Sequence, residues 1–385
     1  MRWASALSEE RSTDDAVAEA AAVVAGELAD VQPDLVLVFA SAHHAGAYER
    51  VARGIAAHFP GAHVAGCSAG GVIGDGRECE DRPAVSLLAA HLPGADLHPI
   101  RFGHGGAVSP GLAPHFLVLA DPFTCDVDQL VGSLDERYPS ARKIGGLASG
   151  GASPGTSALF LGREVHRRGA VGVALTGDIA VETIVAQGCR PIGHPMAITR
   201  CERNVIFELG GRPVVAVLRE LYEQLSPEDR ELFRTALHVG IEMRGDRIEY
   251  RAGDFLIRNV VGIDPASDAL AIGALARPYQ ALQFHVRDAR TAAEDLAACL
   301  DRYRADSASA RPAGAVLFSC LGRGVGLYGR PDHDTGLFRE RIGPVPIGGF
   351  FCNGEIGPVG GTTFVHGYTS AFGLFRPREQ VAAAV

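Results

Sequence analysis

The chain has 385 residues, of which 47% are hydrophobic and 21% are charged, and its formal net charge is −9. This composition is typical of a globular protein with a sizeable core, and the length predicts about two to three domains. The negative charge argues against a nucleic-acid partner, because phosphate binding requires a basic surface.

The first part of the chain alternates helices and strands. An amphipathic helix is predicted over residues 12–30, and the apolar run at residues 34–40 is typical of a strand that is covered on both faces. A second helix is predicted near residues 45–59. The next strand leads into the loop Gly66–Gly71, so the order is strand, helix, strand and glycine loop.

The same order occurs twice more. A strand at residues 115–120 precedes a predicted helix at 126–138 and the glycine-rich loop 145–151. Late in the chain, the strand at 314–320 leads to a third glycine-rich stretch, 346–361. Three units of one supersecondary type indicate duplication, and their spacing is too long for a solenoid repeat.

The central part of the chain separates the second unit from the third. Helices are predicted over 212–225 and 289–305, and strands lie between residues 254 and 287. Glycines and prolines interrupt the pattern near 188–212. The sequence therefore predicts a two-domain α/β protein with mixed β-sheets and flanking helices, divided into residues 1–200 and 201–385.

Polar residues within the third glycine-rich stretch are the strongest sign of a binding site. Asn353 and Glu355 stand among glycines between two apolar runs. Glycines allow a sharply bent backbone or the close approach of another group. Neither of the other two glycine loops has a carboxylate beside an amide, so Asn353 and Glu355 are the first candidates for ligand contact.

Several motifs together resemble the FIST family of bacterial sensory proteins. They are Gly66–Gly71, Asp254–Asn259, Phe284–Ala289, Gly349–Pro358 and Phe364–Thr369. The resemblance covers most of the chain, from about residue 34 to residue 375. It implies an N-terminal and a C-terminal FIST domain that bind a small ligand such as an amino acid and act in signal transduction.

The resemblance also implies an alternative, because some FIST-containing proteins are haem-binding nitric oxide sensors. The candidate axial ligands are His43, His44, His238 and His366. No segment of this chain resembles a kinase, a cyclase or a methyl-accepting domain. We therefore expect any output to run through a separate signalling protein.

An amino acid presents an ammonium group and a carboxylate, and its receptor must match both. Glu355 is the predicted partner of the ammonium group, and Asn353 can both donate and accept hydrogen bonds. Arg258, Arg287 and Arg323 are the candidate clamps for the carboxylate. The alternative interpretation is a buried ion pair between Glu355 and Arg287 that joins two strands.

A hydrolase is the second alternative, since residues 66–70 fit the Gly-x-Ser-x-Gly pattern. Ser68 or Cys67 would be the nucleophile, but residues 70–76 do not predict the helix that a nucleophile elbow requires. A hydrogen-bond donor facing the ligand is the preferred role for Ser68. His366 is the candidate activator of a thiol, although Cys67 and Cys352 are more simply explained as small core residues.

The predicted ligand-contacting residues are Cys67, Ser68, Arg258, Arg287, Arg323, Cys352, Asn353, Glu355 and His366. No metal site is predicted, because none of the eight cysteines forms a Cys-x-x-Cys pair. His333 and Asp334, beside Asp332, are expected to be solvated in a polar loop. The N-terminus lacks an apolar signal segment, and no window is apolar enough to span a membrane. A cytoplasmic protein with reduced thiols is expected.

Overall fold

The computed structural model describes residues 1–29, 31–103, 108–243, 245, 249–250, 253–306 and 311–378. Over these ranges the chain is a mixed α/β protein with several mixed sheets and flanking helices, as the sequence predicts. Within the same ranges, none of the helices combines the length and the apolar character needed to cross a membrane.

The helices are α1 (Thr13–Leu28), α2 (Tyr48–His58), α3 (Val127–Arg137), α4 (Val214–Gln224), α5 (Pro227–Thr235), α6 (Ala289–Asp306), α7 (Gly324–Tyr328) and α8 (His333–Ile342). Two short 3-10 helices span Ala42–Ala47 and Pro110–Leu112. The strands are β1 (Arg2–Ser8), β2 (Leu35–Ser41), β3 (His63–Ala69), β4 (Gly71–Gly74), β5 (Arg77–Glu80), β6 (Val85–His91), β7 (Ala95–Phe102), β8 (His115–Ala120), β9 (Lys143–Leu147), β10 (Leu159–Leu161), β11 (Glu164–His166), β12 (Ala170–Gly177), β13 (Ala180–Ala186), β14 (Cys189–Glu202), β15 (Val205–Leu209), β16 (Arg212–Pro213), β17 (Leu237–Glu242), β18 (Phe255–Asp264), β19 (Ala269–Ile272), β20 (Ala281–Arg287), β21 (Gly314–Cys320), β22 (Ile347–Cys352), β23 (Glu355–Val359), β24 (Thr362–His366) and β25 (Ser370–Arg376).

Local sequence explains where the early helices begin. The Ser12 side chain accepts a hydrogen bond from the Asp15 N–H at the start of α1, and Asp14 and Asp15 lie in the first turn, where the helix dipole favours negative charge. The Asp126 side chain caps α3 in the same way, by accepting from the Gln129 N–H. The predicted helices at 12–30 and 126–138 are therefore confirmed to within a few residues.

Three modules share one design, two of them in the first half of the chain and the third near its end. Each module begins with two parallel strands that are connected by helical segments. These strand pairs are β2 with β3, β8 with β9, and β21 with β22. Each ends in a strand that returns antiparallel to the first one: β6 on β2, β12 on β8, and β25 on β21. The predicted repetition of one unit, in the order strand, helix, strand and glycine loop, is confirmed.

The modules are linked because each gives one strand to another module's sheet. The strand β10 of the second module pairs with β3, and β23 of the third pairs with β9. The strand β4 of the first module pairs with β22 and closes the ring. The pairs Cys67 with Leu159, Gly146 with Glu355 and Phe350 with Val72 are equivalent in this exchange.

One glycine in each module allows the parallel strands to lie close together. A Cβ atom on Gly66 would lie 1.9 Å from the Val38 carbonyl oxygen, and one on Gly145 would lie 1.8 Å from the Val118 oxygen. A Cβ atom on Gly349 would likewise lie 1.8 Å from the Leu317 carbonyl oxygen. No side chain fits at these distances, so the glycines are required by strand packing and not by a ligand.

Contacts divide the chain into two compact units. The first unit comprises Met1–Val185, Ala297–Val365 and the described residues from Thr369 onward, and it contains the three modules. The second comprises Ala186–Leu296 and His366–Tyr368. These units interleave along the sequence, and a division of the chain into residues 1–200 and 201–385 stays a prediction.

The second unit is built on one seven-stranded sheet. Its strand order is β14-β20-β17-β18-β19-β15-β16. One face of the sheet packs with α4 in an apolar core that includes Val239, Phe284, Val286 and Leu218. The glycine- and proline-rich segment near residue 190 is the long strand β14, whose register with β20 shifts between Ile192 and Met196.

Candidate functional site

The three glycine loops meet at one place in the first unit, which we call the glycine-loop junction (residues 68–71, 147–151 and 351–354). The Ser149 N–H donates to the Ser68 carbonyl at 3.2 Å, and the Asn353 N–H donates to the Leu147 carbonyl at 3.1 Å. Within this unit, the loops therefore line one junction at the carboxyl ends of parallel strands, which is a usual position for ligand sites in α/β folds.

The Ser149 hydroxyl completes the ring of hydrogen bonds. It accepts from the Gly70 N–H at 2.8 Å and donates to the Phe351 carbonyl. Ser149 is fully buried, whereas Asn353 is exposed and its amide nitrogen donates to the Ala148 carbonyl at 3.2 Å. Asn353 is therefore the polar side chain that the junction presents at its surface.

Ser68 is held by the backbone on both sides. Its hydroxyl donates to the Ser149 carbonyl at 3.0 Å and accepts from the Ala158 N–H at 3.0 Å, and the side chain is fully buried. The strand β3 continues into β4 rather than into a helix, so the strand, turn and helix of a nucleophile elbow do not form. This geometry gives Ser68 a structural role in joining two modules.

Cys67 and Cys352 lie in the apolar core of the first unit. Burial raises the pKa of both thiols well above the usual range, and the nearby Glu355 charge adds to the effect on Cys352. Neither buried thiol has the electropositive, exposed surroundings of a cysteine that attacks a reagent from solvent.

Glu355 is fully buried at the start of β23. Its Oε2 atom accepts hydrogen bonds from the Thr369 N–H at 3.1 Å and from the Thr369 hydroxyl at 2.6 Å. Glu355 therefore fixes the residue that follows Tyr368 in the sequence.

Arg323 forms a buried ion pair with Asp334. Its Nε donates to Asp334 Oδ2 at 2.8 Å and its Nη2 to Oδ1 at 3.1 Å, and both residues are almost fully buried. Asp334 also accepts a hydrogen bond from the Ser370 hydroxyl, and the His333 Nδ1 lies 3.0 Å from Asp334 Oδ1. The expectation that His333 and Asp334 are solvated is wrong, because the buried Arg323 charge requires a carboxylate beside it.

A second acid lies close to this pair. Glu78 is buried and accepts from the Thr335 N–H at 2.8 Å. Burial, together with the Asp334 charge, raises the pKa of Glu78 to about 8. Glu78 also lines a cavity of about 220 Å³.

In the second unit, strand register brings residues of three motifs onto one face of the sheet. His238 lies opposite both His285 and Asn259, and Arg287 is two residues beyond His285 on the same strand. Residues that lie opposite each other, or two apart on a strand, share a face. Gly240 makes room there, since a Cβ atom on it would lie 2.5 Å from the His285 ring.

Tyr368 packs on this face, and we call the five residues His238, Asn259, His285, Arg287 and Tyr368 the Arg287 cluster. The Tyr368 ring lies 4.3 Å from the His238 ring, and its centroid is 4.9 Å from the Arg287 Cζ. Its hydroxyl donates to Asn259 Oδ1. Tyr368 has a φ of 66°, which is uncommon for a residue with a side chain and frequently occurs at functional sites.

The guanidinium edge of Arg287 is the outstanding polar feature of this cluster. Its Nε and Nη2 atoms are buried and have no hydrogen-bond partner among the described residues. These two nitrogens form the fork that binds a carboxylate through two parallel hydrogen bonds. The adjacent Asp288 is already used, because it pairs with Arg190 and caps α6.

Arg258 does not share this face. It lies opposite Val239, a core residue, whereas its neighbours in sequence, Ile257 and Asn259, lie opposite Gly240 and His238. Arg258 and Arg287 therefore point to opposite sides of the sheet and cannot clamp the same carboxylate.

Comparison with known proteins assigns the family. The FIST N domain model matches residues 34–212, and the FIST C domain model matches residues 215–358. The chain belongs to the FIST family. Domains of this family are regarded as small-ligand sensory domains.

Two uncharacterized mycobacterial proteins are similar to this FIST protein over nearly its whole length. One, from Mycobacterium tuberculosis, is 37% identical over 94% of this chain and 96% of its own. Another, from Mycobacterium bovis, is 35% identical over 94% and 95%. Among solved structures, a cyanuric acid hydrolase from A. caulinodans matches with a TM-score of 0.33 and 9% identity, covering 98% of this chain and 99% of its own. A similarity of that size indicates nothing about the chemistry of this FIST protein.

The histidines of the Arg287 cluster are neutral near pH 7. Burial lowers the pKa of His285 to about 4, and burial together with the Arg287 charge lowers the pKa of His238. Arg287 therefore supplies the permanent positive charge of this cluster.

The histidines considered for haem lie in different parts of this FIST protein. His43 and His44 are in the 3-10 helix after β2, and the His44 Nδ1 lies 2.9 Å from the Thr13 hydroxyl. His238 Nδ1 lies 2.8 Å from the Ala236 carbonyl, and His366 is buried at the end of β24. None of the four histidines lines the cavities beside the start of β22, at β5, between β7 and α3, or beside α4 in the described part of the chain.

Sequence reasoning missed Asn259, His285 and Tyr368 as candidate site residues. All three lie inside recognised motifs, namely Asp254–Asn259, Phe284–Ala289 and Phe364–Thr369. Finding them from the sequence requires knowing which strand each motif forms and on which face of the sheet each side chain lies, and both depend on the pairing register.

Proposed function

We propose that this FIST protein is a sensory receptor for a small ligand that carries a carboxylate, either an amino acid or a similar polar metabolite. The observation that carries the proposal is the buried Nε and Nη2 edge of Arg287, which has no hydrogen-bond partner among the described residues. A buried donor without a partner is costly, and a ligand carboxylate would satisfy both nitrogens at once.

The charges of the Arg287 cluster favour a carboxylate over a phosphate. A single guanidinium stands beside two neutral imidazoles and one aromatic ring. A doubly charged phosphate generally requires more than one cation or a helix N-terminus. The Tyr368 ring and the Asn259 amide offer an apolar wall and a polar contact to the rest of the ligand.

Ligand entry would displace Tyr368, since its ring covers the guanidinium. Its left-handed backbone conformation and the preceding Gly367 favour a local rearrangement. Differential binding to the two arrangements would shift their populations, and a separate signalling partner would sense the shift. A cytoplasmic location is part of this proposal, supported by eight cysteines that are all reduced.

The remaining predicted contacts are assigned different roles. Asn353, exposed at the glycine-loop junction, stays a proposed ligand contact of the first unit by itself. Glu355 is proposed to fix Thr369 in that unit through its two hydrogen bonds. Cys67, Ser68 and Cys352 would shape the junction from within, and Arg323 would do so through its pair with Asp334.

Isothermal titration calorimetry against a panel of amino acids, with acetate and phosphate for comparison, tests the proposal. Arg287→Met removes the fork and should weaken binding by about 2 kcal/mol or more, which is roughly 30-fold. Arg290→Met is the matched control, because Arg290 is an exposed residue of α6 three positions away. Equal affinities of Arg287→Met and the wild-type protein for every bound ligand would reject the carboxylate clamp.

A further inference from the structure

Two cysteines face each other across the parallel strands of the third module. Cys320 and Cys352 are register partners at the ends of β21 and β22. Adjacent strands lie about 4.8 Å apart, which falls within the Cα separations that a disulfide spans. The Leu321 N–H donates to the Cys352 carbonyl at 3.0 Å, so the pairing continues past the cysteines.

The side chains of these cysteines lie on one face of the sheet. Phe318 and Phe350 precede them by two residues, and the two rings pack with centroids 5.7 Å apart. Side chains two positions apart on a strand share a face, so the Cys320 and Cys352 sulfur atoms also point to the same side. A bond between the sulfur atoms therefore needs no change of register.

The two thiols differ in access and in surroundings. Cys352 is fully buried, whereas Cys320 is half-buried and precedes the exposed residues Leu321 and Gly322. Cys320 is within electrostatic range of the Arg323 guanidinium. The Arg323 Nη1 is buried and has no hydrogen-bond partner among the described residues, so a donor remains for a nearby anion. A cation beside an accessible thiol favours the nucleophilic thiolate.

We propose that Cys320 is a thiol-modification site that reacts with small-molecule disulfides, and that Cys352 is its resolving thiol. In the first step, the Cys320 thiolate attacks one sulfur of the disulfide, forms a mixed disulfide and releases one small thiolate, which takes up the proton. In the second step, Cys352 loses its proton and attacks the Cys320 sulfur. The second small thiol leaves, the two cysteines are oxidised and the small disulfide is reduced.

Cys125 provides an internal comparison for reactivity. It is half-buried like Cys320, but burial and the charges of Asp126 and Asp121 raise the pKa of its thiol. Treatment with oxidised glutathione at pH 7, followed by peptide mapping, should therefore show Cys320 reacting roughly tenfold faster than Cys125. This comparison is made within the wild-type protein and does not depend on a variant that might unfold.

Intact-mass measurement separates the two steps. The wild-type protein should lose two hydrogen atoms as the Cys320–Cys352 bond forms, whereas Cys352→Ser should retain one glutathione on residue 320. Cys320→Ser should show neither product, and Cys125→Ser should behave as wild type. Modification of Cys125 at an equal or greater rate than Cys320 would overturn the site, and a stable mixed disulfide on Cys320 in the wild-type protein would overturn the resolving role of Cys352.

Discussion

Glu78 makes the stability of the first unit depend on pH, and the size of the effect follows from its surroundings. Burial and the Asp334 charge raise the pKa of Glu78 to about 8 in the folded protein, against an ordinary value of 4.5. Between the two pKa values, 4.5 and about 8, the Glu78 carboxyl group is therefore protonated in the folded state and ionised in the unfolded state. The stability that this proton contributes is complete below pH 4.5 and is lost as the pH rises through 8.

The expected loss between pH 6 and pH 9 is about 2 to 3 kcal/mol, because the folded-state carboxyl group is almost fully protonated at the lower pH and almost fully ionised at the higher one. For a unit of this size, that loss lowers the midpoint of thermal unfolding by roughly 5 °C. Glu78→Gln keeps a carbonyl oxygen to accept the bond from the Thr335 N–H but cannot ionise. The variant should therefore lose this part of the pH dependence.

Calorimetric unfolding of the wild-type protein and of Glu78→Gln at pH 6, 7, 8 and 9 measures the difference directly. Other groups titrate in this range, so the informative quantity is the change in the gap between the two midpoints. Glu10→Gln is the control, since Glu10 is exposed. If the wild-type and Glu78→Gln midpoints run parallel from pH 6 to pH 9, the inferred protonation of Glu78 is wrong.

Two further predictions concern the packing of the modules. Gly145→Ala should prevent β9 from pairing with β8 and abolish soluble folding, because the new Cβ atom would lie 1.8 Å from the Val118 carbonyl oxygen. Gly132→Ala is the control, because Gly132 is exposed on α3 and a Cβ atom there would meet no atom within 4 Å. It should leave the free energy of unfolding unchanged or raise it by about 1 kcal/mol. Lys143→Met should lower the free energy of unfolding, measured by chemical denaturation, by about 3 kcal/mol, since the buried Lys143 ammonium pairs with Asp135 at 2.7 Å. A loss below about 1 kcal/mol would contradict a structural role for this pair.

Local sequence predicted the elements of this fold well, because each depends on neighbours in the chain. The Ser12 cap, the apolar run at 34–40 and the glycine loops all carry signals within a few residues. The exchange of β4, β10 and β23 between modules carries no such signal. These short strands pair with residues far away in the sequence, and their alternation does not specify a partner.

Predicting the site from sequence was limited by the same lack of long-range information. His333 and Asp334 follow Asp332 in a polar segment, which is typical of a solvated loop. They are buried because Arg323, eleven residues before Asp334, brings a charge into the interior that Asp334 must neutralise. Arg258 and Arg287 both lie inside recognised motifs and are both candidate clamps from the sequence, whereas strand register places them on opposite faces.

The three candidate arginines differ in what the protein already provides for them. Arg323 is neutralised by Asp334 through two hydrogen bonds, so it is explained without a ligand. Arg258 lies on the face of the sheet that holds the apolar core of the second unit. Arg287 keeps a charge and a two-nitrogen edge for which the described residues supply no acceptor, and the Tyr368 ring packs over its guanidinium. Because leaving such a group unsatisfied is costly, the proposed carboxylate site rests on Arg287 and on neither of the other two arginines.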